Sequence, residues 1–114
     1  MTMKRITVPT TEVLRAFMAS PTDDLYGYQL LQMTGLPSGT LYPILARLEF
    51  YGWVESRWED LDPELEGRPV RRFYRLTQDG LQQASSVLAA RAKPDARTRR
   101  LLKRAERLPG LPAR

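Results

Sequence analysis

The chain has 114 residues, 42% of them apolar and 27% charged, which suits one small globular domain with a tail and leaves no material for a second substantial core. It holds no cysteine and no histidine, so disulfides, thiolate chemistry, the commonest zinc ligand and the commonest general base are all excluded, and no cofactor or metal is expected. A net charge of +5 and a pI of about 10 call for an anionic partner; no apolar run approaches the roughly 20 residues that span a bilayer.

The opening MTMKRITVPT carries a basic pair but no apolar segment of useful length, so no secretory signal is expected and the location is read as cytoplasmic. Thr10 and Thr11 precede Glu12 and the apolar-rich run Val13 to Ala19, predicting a first helix with a threonine cap, ended by Ser20, Pro21 and Thr22. Asp23 or Asp24 then opens a second helix through Leu25, Tyr28, Leu31 and Gln32, closed by Gly35 in a left-handed cap. A Gly-Leu-Pro turn leads into a third helix capped by Ser38 or Thr40, of which Thr40 better suits Pro43, because the first N–H groups of a helix have no internal partner. Leu41, Ile44, Leu45 and Leu48 fall on one face of this helix, and Gly39, Pro43, Ala46, Arg47 and Phe50 on the other.

Gly52 stops the third helix, and Trp53 to Trp58 alternate as a half-buried strand whose partner is Arg71 to Leu76, with Tyr74 and Leu76 on one face and Arg71, Phe73 and Arg75 on the other. Between the strands, EDLDPELEGRP reads as a long acidic loop. Thr77 caps a fourth helix from about Gln78 to Ala92, with a narrow stripe of Leu81, Ala84, Leu88 and Ala92. After Pro94 and Asp95, a fifth helix is expected over Ala96 to Leu108, carrying Leu101, Leu102, Ala105 and Leu108 on one side. The pattern is mainly α with a small β hairpin, a winged helix-turn-helix domain over residues 1–92 and a basic tail over 93–114. Charge follows that division: Met1 to Ala90 hold nine basic and eleven acidic residues, whereas Arg91 to Arg114 hold nine basic and two acidic.

Three blocks carry a resemblance to a known family: Tyr26, Gly27 and Tyr28; SGTLYPILARLE over 38–49; and GRPVRRFYRLT over 67–77. In order and spacing they resemble the PadR family of bacterial transcriptional regulators, and with the intervening WVESRWE they cover most of Tyr26 to Gly80. The resemblance implies a winged helix that binds operator DNA as a homodimer, usually repressing, with the third helix in the major groove and the wing beside it. Many relatives follow it with a long helical dimerisation domain, which the roughly twenty residues after the fourth helix do not match. The resemblance therefore assigns no small-molecule effector, and the phenolic-acid response that gave the family its name is not carried over.

Candidate contacts follow from residue chemistry. Ser38, Gly39 and Thr40 bring hydroxyls and backbone N–H groups to a helix N-terminus, where a phosphate or a base edge is favoured; the competing role is simple capping. Tyr42 offers a hydroxyl to a phosphate or a wedge against the second helix. Arg47 is the one long polar side chain on the outward face, suited to a base, a phosphate or solvent, while Pro43 and Ala46 suit thymine methyls. Arg68, Arg71 and Arg72 at the return of the wing suit phosphates or a minor groove, or pair with the loop acids Glu59, Asp60, Asp62, Glu64 and Glu66, whose charge turns the loop tip away from DNA. Trp53 and Trp58 are expected in packing, and Tyr26 and Tyr28 in structural roles. The expected function is a sequence-specific DNA-binding regulator, a repressor on a symmetric operator, with duplex DNA and a second copy as partners and no enzymatic or membrane role. The alternative is a winged helix used to bind another regulator or a polymerase.

Overall fold

The computed structural model describes residues 5–92 and, beyond them, residues 100, 101, 103 and 104. The expected fifth helix and most of its leucine stripe lie outside the described residues, although Arg100, Leu101, Lys103 and Arg104 are themselves helical.

Helix α1 spans Val8–Ala19 and begins earlier than the sequence suggested. Thr7 is its cap, accepting from the Thr10 N–H at 3.3 Å, and Pro9 sits in the first turn, where its fixed φ is already helical. Thr10 and Thr11 are therefore not caps but buried first-turn residues, and the Thr11 hydroxyl donates to the Thr7 carbonyl at 3.1 Å. The extra turn brings this face onto the core alongside Val13, Leu14, Ala16 and Phe17.

The expected start of the second helix is also displaced. Leu25–Tyr26 form a short strand, β1, and α2 runs only over Gly27–Thr34. Asp24 caps nothing; its carboxylate meets Arg57 at 2.7 Å and Arg75 at 3.9 Å, tying β1 to the sheet. The Tyr26 N–H donates to Gln29 Oε1 at 3.0 Å across the first turn of α2, and Gly35, at φ 71°, closes the helix as expected.

Helix α3 spans Ser38–Phe50 and buries Leu41, Ile44, Leu45 and Leu48, the face its spacing predicted. Its cap is Pro37, whose carbonyl accepts from the N–H groups of Thr40 and Leu41 at 3.0 and 2.9 Å; neither Ser38 nor Thr40 caps with its side chain. The extended Pro37 lets the helix start before Thr40, so Pro43 falls in the second turn. There its missing N–H leaves the Gly39 carbonyl without its usual partner.

Strands β2 (Val54–Trp58) and β3 (Arg72–Leu76) pair antiparallel, Val54 opposite Leu76 and Trp58 opposite Arg72. The hairpin is enlarged by β1, which adds to the other side of β3 with Leu25 opposite Tyr74 and Tyr26 opposite Phe73. The acidic connection is not wholly a loop: Pro63–Glu66 form one helical turn, α4, capped by Asp62, with no buried residue.

Helix α5 spans Gln78–Ala92, and Thr77 caps it, its hydroxyl oxygen accepting from the Gly80 N–H at 2.9 Å while donating to the Gly52 carbonyl at 2.6 Å. Its inward stripe is Gly80, Ala84 and Val87 rather than one led by Leu81, which is exposed. The helix turns this way because a side chain at position 80 would strike the Trp53 backbone. Helix α1 packs across α2, α3 and α5, and fully burying each of its large apolar side chains contributes about 1.5–3 kcal/mol. That scaffold holds the polar face of α3 outward beside the hairpin.

Candidate nucleic-acid interface

The exposed face of α3 carries Ser38, Gly39, Tyr42, Pro43, Ala46, Arg47 and Phe50. Because Pro37 caps the helix through its backbone, the side-chain hydroxyls of Ser38 and Thr40 have no protein hydrogen bond among the described residues, which removes capping as their role. Arg47 likewise forms no ion pair among the described residues. The face therefore presents hydroxyl groups, a backbone carbonyl at Gly39, two small apolar surfaces and one guanidinium.

Tyr42 takes the wedge position against the second helix. Its ring is 43% exposed, yet its hydroxyl reaches the start of α2 so closely that a Cβ on Gly27 would lie 2.3 Å from the Tyr42 Oη. The Tyr-Gly-Tyr and Leu-Tyr-Pro segments are thus a matched pair: the glycine makes the space that the tyrosine fills.

The three wing arginines have different surroundings. Arg68 forms a two-pronged contact with Glu59, Nη1 to Oε1 at 2.6 Å and Nη2 to Oε2 at 3.1 Å. The hydrogen bond from Arg68 holds the Glu59 carboxyl below the usual carboxylate range, and the same bond raises the guanidinium. Backbone pairing of the Glu59 N–H with the Arg71 carbonyl at 2.8 Å closes the loop at the same point. Arg72 donates to Ser56 Oγ at 2.8 Å and lies 3.4 Å from Glu49, whose carboxylate also accepts from Ser56 at 2.6 Å. Its guanidinium stands 5.4 Å from the ring centroid of Trp58, which is exposed, whereas Trp53 is buried as expected. The Arg71 guanidinium forms no ion pair among the described residues, although the Arg71 backbone N–H donates to Glu59 Oε1 at 3.4 Å; the guanidinium lies 4.4 Å above the ring of Tyr26, which itself packs edge-on against Phe73.

Between α2, the flank of α3 and the base of the wing, Tyr26, Gly27, Tyr42, Tyr74 and all three wing arginines line an open concavity of about 480 Å³. Burial pushes the Tyr74 phenol up from its ordinary value. Sequence reasoning assigned Tyr26 to structure and gave Tyr74, Glu49, Ser56 and Asp24 no part in the site. The strand alternation could have placed Tyr74 on the α3 side, but the ion pairs join positions too far apart in sequence to be read from spacing.

The profile of the "Transcriptional regulator PadR-like family" matches residues 19–86, a span that includes β1, α2, α3 and the whole hairpin. The chain belongs to the PadR-like family of transcriptional regulators. Solved PadR-like and related structures share the fold. A Streptococcus mutans protein is 27% identical, with 77% of this chain and 82% of that one covered and a TM-score of 0.59. A PadR family transcriptional regulator from Eggerthella lenta is 30% identical, with 73% and 70% covered and a TM-score of 0.52. AbfR, known from Staphylococcus epidermidis and solved in reduced form bound to DNA, is 26% identical, with 89% and 69% covered and a TM-score of 0.59. Among curated proteins none matches this PadR-like sequence. Among the described residues, no helix is long and apolar enough to cross a membrane.

Proposed function

We propose that this PadR-like regulator binds duplex DNA sequence-specifically as a cytoplasmic homodimer and represses transcription from a two-fold symmetric operator. One observation carries the reading: the start of α3 bears hydroxyls at exposed Ser38 and half-buried Thr40 that serve no cap, beside Arg47, which forms no ion pair among the described residues, and next to the wing. Such a face suits a major groove, with Ser38, Gly39 and Thr40 at the backbone, Arg47 at a base edge, and Pro43 and Ala46 against methyl groups. Tyr42, Arg68, Arg71 and Arg72 belong to the same interface, in contact with DNA or shaping the part that is. AbfR, similar in fold and 26% identical, is a DNA-bound precedent. Repression would follow from operator occupancy. With no cysteine in its 114 residues, the chain has no thiol for a switch of the kind implied by the disulfide-formed state of AbfR.

Residues 1–92 serve as the DNA-binding unit in this reading, and residues 93–114 support the dimer. Exposed Val8 on α1 and Leu81 on α5 are apolar surface that a second copy would cover.

Selection of bound sequences from a random duplex pool tests the proposal. A two-fold symmetric consensus is the expected outcome; recovery of no preferred sequence would defeat it. A second reading, docking onto another protein, draws on Leu65, which is 84% exposed on α4 between Glu64 and Glu66 and would suit a basic, apolar partner surface. Duplex binding that weakens steeply with salt favours the first reading over the second.

A further inference from the structure

We propose that the concavity between α2, α3 and the wing is a seat for one backbone phosphate of the bound duplex, and that Arg71 alone among the wing arginines grips it. The inference rests on the DNA reading above and divides the labour among residues that reading treats together.

Three observations converge on it. Arg68 and Arg72 already bond to Glu59 and to Ser56 and Glu49, so their charge is locally neutralised and their forks are occupied. The Arg71 guanidinium lines the concavity and forms no ion pair among the described residues. Stacking over Tyr26 fixes the plane of its guanidinium while leaving the N–H edge available, an arrangement that matches two oxygens of a phosphodiester.

The opposite wall supplies complementary donors. Tyr42 Oη sits against Gly27, the first residue of α2, where the backbone N–H groups precede the first intrahelical bond and the helix is positively polarised. A phosphate between Arg71 and this wall would meet a cation, a phenol and a helix start. At about 480 Å³ the concavity exceeds a lone phosphate and leaves space for the flanking deoxyriboses against the tyrosine rings. Glu59 and Glu49 act here as positioning residues: by holding Arg68 and Arg72 they set the approach of the wing without touching DNA.

The test uses the full chain and a duplex bearing its selected site. Arg71→Met should lower affinity roughly ten- to a hundredfold and make the slope of log affinity against log salt shallower by about 0.9 per protomer. Arg71→Lys should retain the slope, and Arg68→Met should change it less than Arg71→Met does, with thermal melts verifying that each variant is folded. Duplexes in which single phosphates are replaced by neutral methylphosphonates should reveal one position per half-site whose loss is not additive with Arg71→Met. An unchanged salt slope in folded Arg71→Met, or full additivity at every phosphate, would overturn the seat while leaving DNA binding intact. Failure of the wild-type chain to bind any duplex would instead overturn the DNA reading, and the seat with it.

Discussion

A methyl group added at residue 80 would stand 1.8 Å from the Trp53 carbonyl oxygen and 2.6 Å from its carbon, and neither backbone atom can rotate away. Overpacking of this kind costs about 1–3 kcal/mol, more than the roughly 1 kcal/mol that alanine gains over glycine inside a helix. Gly80→Ala should therefore destabilise the fold, read as a lower urea midpoint; a variant at or above wild-type stability would mean that α5 is not held against Trp53. Arg47 poses a different question, because it is exposed and forms no ion pair among the described residues. If it reads a base, Arg47→Ala should weaken specific binding by about 1–3 kcal/mol and relax preference at one position of each half-site. Uniform weakening on matched and mutated sites would assign it to a phosphate, and no change to solvent.

At the level of elements, α3 carries a conflict between stability and display. Pro43 in its second turn forfeits one helical hydrogen bond and leaves the Gly39 carbonyl without its usual partner. Pro43→Ala should raise stability by about 1–3 kcal/mol while weakening duplex binding. A gain in stability with unchanged affinity would show that neither the proline surface nor that carbonyl meets DNA. The wing is closed by the pairing of Glu59 with Arg68, and the sign of its pH dependence is fixed by the lowered carboxyl. A native carboxyl held below its ordinary value of 4.5 stabilises above that value and loses its contribution as pH falls through the depressed one. A carbon-13 titration of Glu59 should give a midpoint below 4.5 that moves up in Arg68→Met. A wild-type midpoint at the ordinary value would break the clasp.

At the scale of the whole molecule, the charge of the described winged helix is nearly balanced, and the excess lies in residues 91–114, which hold nine basic and two acidic side chains. Truncation after Ala92 separates the roles open to that segment. Loss of the dimer with loss of symmetric-site binding would show support of the dimer, the outcome we expect, given the leucines at 101, 102 and 108. A retained dimer whose salt slope becomes shallower by about 0.9 per lost contact would show backbone contact instead. Sedimentation and salt titration of the same fragment distinguish the two, and no change in either would mark the tail as a solvated appendage.

The sequence by itself determined the winged-helix pattern, the buried face of α3, the left-handed Gly35, the Thr77 cap and the start of α5, because each depends on local spacing or on a single residue's backbone preference. It also carried the family, through blocks at 26–28, 38–49 and 67–77. Tertiary structure decided what local rules could not reach. β1 is two residues long, too short for any period, and exists only because β3 offers it a partner. Asp23 and Asp24 matched the rule for helix caps, but Asp24 is drawn to Arg57 and Arg75, far away in sequence. Thr10 and Ser38 met similar rules and lost to Thr7 and Pro37, since packing set where each helix begins. The distinction among Arg68, Arg71 and Arg72 was likewise invisible in a run of basic residues: it depends on which carboxylates the fold brings within reach, and that is a property of distance in space.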